Sequence, residues 1–295
     1  MHKFFPMKKV FKVAGHQFGV IMPENDMCWR AMENYLPFQS DDTDDCIFTA
    51  ELIDSMPDIT NKKRITVSCE GSDMPRIELY ECDGQWLMEI APVMDAPIRV
   101  YLITDKAFKN AKFCLLGSAV FSINTVLMLM FAFATARKNT LLMHASVTMN
   151  EGKGYLFLGK SGTGKSTHSQ LWINNIDGCS LLNDDNPVIR VTEEGEVRVY
   201  GSPWSGKTPC YRNLDVPVGA IVTLQQAKTN KMRRQTLPEA YASVYVSFSG
   251  YRFIKEMADG LHITNAMVVG KVPCFHLDCL PNADAAFLCY QTVTK

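Results

Sequence analysis

The stretch "LFLGKSGTGKST", residues 156–167, fits the phosphate-loop pattern G-x-x-x-x-G-K-[ST] at every fixed position, from Gly159 to Ser166. Its glycines allow the backbone to curl so that successive N–H groups face inward toward an anion. The flanks are those the pattern requires: "YLFLG" is a short apolar run that reads as a strand, and "THSQLWIN" reads as a helix. A helix starting near Ser166 adds the positive end of its dipole at the same spot. Gly159, Ser161, Gly162, Thr163, Gly164, Lys165, Ser166 and Thr167 are therefore the expected nucleotide-binding residues. In such a loop the lysine reaches the β/γ-phosphates of ATP, and the Ser166 hydroxyl ligates Mg²⁺.

Downstream, "SLLNDDNPVIRV" places Asp184 and Asp185 at the end of an apolar run, nineteen and twenty residues beyond Lys165. An acidic residue at the carboxyl end of a neighbouring strand can hold the metal that bridges two phosphates. A second carboxylate beside it can accept a proton from an attacking hydroxyl. Which of the two takes which role is open from sequence, because adjacent carboxylates titrate as a pair. Transporter-type ATPases share the loop, but their L-S-G-G-Q signature is absent here.

Upstream, "LLMHASVTM" reads as the strand before the loop's own strand and carries His144. An imidazole there can orient a carboxylate or touch a metal. The other unusual segment is "VYGSPWSGKTPCYRN", residues 199–213. It is expected to be a loop that closes over the phosphates, with Lys207 and Arg212 stabilising transferred charge. An ordered surface loop would have the same composition.

Strands alternate with helices from residue 112 to 295, which indicates an α/β domain feeding the phosphate loop. Residues 1–111 read as a smaller β-rich domain. "RIELYECDGQWLMEIA" is a hairpin pattern with Asp83-Gly84 at its turn. Between the two lies "GSAVFSINTVLMLMFAFATARK", residues 117–138, which has the length and hydropathy of a membrane span. Ser118, Ser122, Asn124 and Thr125 interrupt it, and a helix buried in a globular core is the expectation.

The net charge is −1, which gives no reason to expect a nucleic-acid or membrane partner. The ten cysteines are scattered without C-x-x-C spacing, so reduced thiols in a cytoplasmic protein are expected rather than zinc or disulfides.

The order of these features resembles the HPr kinase/phosphorylase family. The "HAS" of His144, the loop, "NDD" and "GSPW-x-GK" match HPr-kinase-like proteins. The loop also resembles that of ATP-dependent phosphoenolpyruvate (PEP) carboxykinase. The resemblance spans residues 112–295. It implies an α/β, P-loop-containing HPr kinase/PEP carboxykinase-like C-terminal domain beside a smaller β-rich N-terminal domain of unassigned role. It also implies that Lys165 and the loop amides hold phosphates, and that Ser166 with one of Asp184 and Asp185 holds Mg²⁺. Asp185 is then the base, with His144 beside it, and a homo-oligomer is in keeping with the family. Two features depart from the HPr kinases themselves: Asn183 precedes the acidic pair where those usually carry an apolar or small residue, and their acidic-Arg-Gly-apolar-Gly run is absent. HPr as acceptor and the reverse, phosphorylase, reaction are therefore not implied. The expected activity is transfer of the γ-phosphoryl of ATP to a hydroxyl of a protein, peptide or small molecule. A non-catalytic nucleotide-binding sensor or assembly module is the alternative, and PEP carboxykinase-type chemistry a third reading.

Overall fold

The computed structural model describes residues 5–42, 45–68, 75–117, 119–206 and 208–295. They form two compact units, Met1–Ala134 and Thr135–Lys295. The fold is mixed α/β, with two large mixed sheets and few helices.

The first unit holds β1 (Pro6–Val13), β2 (His16–Pro23), β3 (Gln39–Ser40), β4 (Phe48–Leu52), β5 (Lys62–Ser68), β6 (Arg76–Cys82), β7 (Gln85–Ala91), β8 (Val100–Asp105) and β9 (Asn110–Leu115). They make one sheet in the order β3-β1-β2-β4-β9-β8-β7-β6-β5. The β6–β7 hairpin turns at Asp83-Gly84, with φ of 45° and 77°, as its sequence predicts. The β1–β2 turn uses the same left-handed pair at Ala14-Gly15.

Helix α1 (Ala119–Thr135) occupies the apolar stretch. Its Phe131 packs edge-on against Phe18, and Phe133 lies 5.2 Å from Phe108. Asn124 accepts a hydrogen bond from Asn34 at 3.0 Å, and Thr125 bonds back to the Phe121 carbonyl. Two of the polar residues that break the span, Asn124 and Thr125, are thus satisfied locally, whereas the buried Ser122 hydroxyl has no hydrogen-bond partner among the described residues. Among the described residues no helix is long and apolar enough to cross a membrane. The division between units falls after α1, not at residue 111, because β9 pairs with β4 and β8, and α1 packs on aromatic residues of the same unit. A 3-10 helix over Met27–Phe38 was not foreseen; Pro37 and its mixed polar pattern hide it.

The second unit contains β10 (Thr140–Leu142), β11 (Ala145–Asn150), β12 (Lys153–Leu158), α2 (Lys165–Asn175), β13 (Ser180–Asp185), β14 (Val188–Val191), β15 (Val197–Tyr200), β16 (Asp215–Gln226), β17 (Lys231–Arg234), α3 (Leu237–Tyr245), α4 (Lys255–Lys271), β18 (Cys274–Cys279) and α5 (Ala283–Val293). β12, β16 and β18 run parallel, while β11 lies antiparallel between β12 and β13. The carboxyl ends of β12, β13, β16 and β18 therefore share one end of the sheet, where open α/β sheets bind ligands.

Helix α2 is anchored by Trp172, fully buried 5.1 Å from Tyr155, 5.3 Å from Phe157 and 5.5 Å from Tyr290. One turn earlier, buried His168 accepts the Trp172 indole N–H at its Nε2, 3.2 Å away. Burial pushes its pKa from the ordinary 6.5 down to about 4. The unfolded chain binds a proton here between pH 6.5 and about 4 that the native state refuses, so the group's contribution is full above pH 6.5 and is lost as pH falls toward 4. We expect urea midpoints to report a loss of about 2 kcal/mol from this site between pH 7 and pH 5. His168→Gln, which keeps an acceptor for Trp172, should lose that part of the pH dependence.

Candidate functional site

The register of three strands assembles the site. Ala145 pairs with Leu158 on one side and with Asp185 on the other. One step further along the same end of the sheet lie Gly159, which opens the phosphate loop, and His144. The loop, the histidine and the acidic pair, far apart in sequence, thus converge at one edge because β11 is antiparallel to both neighbours.

Within the loop Gly162 and Gly164 have φ of 79° and 104°, and an added Cβ at either would meet nothing within 4 Å. The requirement for glycine is conformational rather than spatial. Gly164 caps α2 without any side-chain hydrogen bond. The first-turn N–H groups, over Lys165, Ser166 and Thr167, have no intrahelical acceptor and are available to an anion. Ser161, Ser166 and Thr167 are exposed beside them, and Thr163 is half-buried. These features fit a bound phosphate.

Lys165 points back into the loop and is only 8% exposed. Its Nζ donates to the Gly159 carbonyl at 3.0 Å and the Lys160 carbonyl at 3.5 Å, and lies 3.1 Å from His144 Nε2. The same His144 nitrogen is 3.4 Å from Asp185 Oδ1. Ammonium and carboxylate thus flank the same imidazole nitrogen. Burial pushes the Lys165 pKa down, against the opposing pull of Asp185 and Asp184. Burial also pushes Asp185 up, partly offset by His144 and Lys165.

Asp184 is 3% exposed, while Asp185 is half-buried with φ of 122°, in the left-handed region that disfavours a side chain. The segment 201–206 holds this corner. The Ser205 hydroxyl donates to the Asp184 carbonyl at 3.0 Å and the Gly206 N–H to the same oxygen at 2.5 Å. Fully buried Asn183 donates to the Ser202 and Trp204 carbonyls, and its Oδ1 accepts the Asn186 N–H at 3.0 Å. Asn183 is the brace of the acidic corner. A Cβ on Gly206 would sit 3.1 Å from Asp185 Cβ, so glycine permits the close approach.

This placement revises the expectation for residues 199–213: the part carrying Gly206 lies against the acidic corner. Arg212 donates to Ser180 Oγ at 3.3 Å, at the start of β13. That is roughly 16 Å of strand from Asp185. The structure does not bring Arg212 to the phosphate loop. Lys207 lies outside the described residues. Two other contacts were not anticipated. Gln226, at the end of β16, donates to the carbonyls of Gly162 and Thr163 at 3.1 and 3.4 Å, bracing the loop from the neighbouring strand. Behind the loop, the hydroxyls of Ser146 and Ser169 meet at 2.6 Å, joining β11 to α2. A glutamine at a strand end carries no motif, and only strand adjacency would have pointed to it.

No family model matches the sequence, and no curated protein does. Among solved structures, the chain is similar to the Hpr(Ser) kinase/phosphatase from Coxiella burnetii, with a TM-score of 0.32 and 14% identity over 52% of this chain and 88% of that one.

Asn183 supports a test of the brace. Asn183→Ala leaves the Asn186 N–H and two buried carbonyls without this partner, and the cost for buried polar groups stripped of a partner is about 1–3 kcal/mol. The expected outcome in urea denaturation is a loss of that size. Arg212→Ala, at an exposed site, should change stability by less than about 0.5 kcal/mol.

Proposed function

We propose that the second unit is a Mg-ATP-dependent phosphotransferase of HPr-kinase-like type, moving the γ-phosphoryl group to a hydroxyl acceptor. The observation that carries this reading is the placement of Lys165 and Asp185 about His144 Nε2 at the mouth of the phosphate loop. A nucleotide-binding module needs the loop and its lysine. It does not need a half-buried carboxylate, held in a disfavoured backbone conformation, within reach of both.

The loop amides and Lys165 hold the phosphates. Ser166 and Asp184 supply oxygen donors suited to Mg²⁺, a hard cation that takes the rest of its shell from phosphate and water. Bound there, the ion would neutralise charge on the phosphate oxygens. Asp185 Oδ accepts the proton of the acceptor hydroxyl as its oxygen attacks the γ-phosphorus, and the bond from that phosphorus to the β–γ bridging oxygen breaks to release ADP. The raised pKa of Asp185 suits a base better than that of an exposed aspartate. His144 Nε2 stands between that carboxylate and the ammonium: carrying its proton there it donates to Asp185, and without that proton it accepts from Lys165.

The test is transfer of label from γ-labelled ATP, with Mg²⁺, to macromolecular and small-molecule fractions of a bacterial lysate. Nucleotide binding is followed separately. Asp185→Asn should keep ATP binding and reduce transfer by about 10²–10⁴-fold, the range for loss of a general base. Lys165→Ala should weaken binding as well. Tight ATP binding without transfer to any fraction or to water would replace the enzyme with a nucleotide-sensing module.

A further inference from the structure

His144 sits where its strand is interrupted. β10 pairs with β14, whereas β11 pairs with β12 and β13, so the chain changes partners across Met143 and His144. Main chain from elsewhere fills the gap. The His144 N–H donates to the Ser247 carbonyl at 2.6 Å, and the Ser249 N–H donates to the Leu142 carbonyl at 2.9 Å. Met143 forms an isolated bridge with Phe248, and its own N–H donates to the Pro187 carbonyl at 2.9 Å. The main chain that carries the imidazole between Lys165 and Asp185 is therefore held in part by the turn at residues 247–249.

The Ser247 hydroxyl ties the start of that turn to the Ser243 carbonyl, and Arg252 gathers the carbonyls around it. Arg252 Nη2 donates to the Tyr245 carbonyl at 2.9 Å and the Phe248 carbonyl at 2.8 Å, and Nη1 donates to the Gly250 carbonyl. The guanidinium lies 4.7 Å from the Phe248 ring centre and 5.1 Å from that of Tyr245. It makes no ion pair among the described residues; backbone dipoles and two ring faces answer its charge. The planar guanidinium spreads its donors over two nitrogens and so reaches carbonyls on separate residues while stacking on both rings, which a single ammonium nitrogen does not reproduce.

We infer that Arg252 is a positioning residue that sets His144 through the 247–249 turn, keeping its imidazole within reach of Lys165 and Asp185. The functional meaning of this rests on the phosphotransferase reading; the structural content rests on the main-chain contacts.

The deciding measurement is the His144 Cε1–H proton resonance in nucleotide-free protein at fixed pH, assigned by its loss in His144→Gln. In Arg252→Met the resonance should shift or broaden. ATP affinity should stay within about twofold while turnover falls about tenfold or more, the scale on which small misplacements act. Arg252→Lys should fall between, and methylguanidinium should move the resonance of Arg252→Ala back toward wild type. Should Arg252→Met not fold, Arg252→Lys carries the comparison. A resonance unmoved in the folded variants overturns the inference, whatever the activity. A wild-type protein that turns over no ATP removes the phosphotransferase reading, and the resonance still decides the positioning role.

Discussion

A buried ammonium is what the second unit has to accommodate. Lys165 is almost fully covered at the first turn of α2, where the helix dipole also opposes a positive charge. Removing such a charge from water costs several kcal/mol unless partners replace the solvent. The replacements come from three places: two carbonyls of the loop itself, the imidazole at the start of β11, and the carboxylates that end β13. Each partner must stand at one end of one sheet, which dictates much of the topology. An antiparallel β11 between two strands that run the other way puts its own beginning beside both of their ends. A parallel β11 would have delivered His144 to the opposite edge.

The acidic corner shows the cost of that arrangement. A non-glycine residue at φ of 122° carries strain of about 1–3 kcal/mol, which persists only where the surroundings over-determine it. Here the surroundings are a short segment whose hydroxyl and N–H hold the Asp184 carbonyl, and an asparagine whose carboxamide is spent on main chain. The strain lies on the residue that faces the imidazole. Bracing falls on its neighbours, so the carboxylate of Asp185 keeps its outer face open. Among the described residues its further hydrogen bond, from Asn186 Nδ2 at 2.7 Å, comes from the next residue.

The glycine-rich loop with its strand and helix, the hairpin before it and the place of Asp184 and Asp185 at a strand end were all legible in sequence. Local glycine chemistry and apolar periodicity encode them directly. The pattern also showed that α1 is interrupted by polar residues. Its assignment to the first unit was not legible, because that depends on which aromatic rings it meets. Residues 199–213 show the limit most clearly. Glycine, serine and proline announce a constrained loop, and two cations suggest an anion. Yet the constraint serves the Asp184 carbonyl, and Arg212 is drawn to the far end of β13. Composition reports that a segment is special without saying which neighbour makes it so. Gln226 and Arg252 escaped for the opposite reason: each bonds carbonyl oxygens, which every residue possesses, and nothing in the carbonyl's own sequence marks it as chosen.

Supports of the two kinds divide the site in a way that bears on how it would work. The acidic corner is braced by the segment after β15, and the His144 main chain in part by the turn after α3, and the two segments share no hydrogen bond among the described residues. A distortion in one need not travel through the other. The side chains they carry meet at the 3.4 Å contact between imidazole and carboxylate, beside the main-chain pairing of Ala145 with Asp185 and the bond from the Met143 N–H to the Pro187 carbonyl. That contact is longer than an optimal charge-assisted hydrogen bond and lies in a half-exposed place, so it is weak by itself. Its distance is therefore set by the two supports more than by its own attraction. Pre-organisation of this kind leaves the carboxylate oriented but not saturated, which is the condition a proton acceptor requires. Had the pair been closed by its own bond, the carboxylate would have been better satisfied and a poorer base.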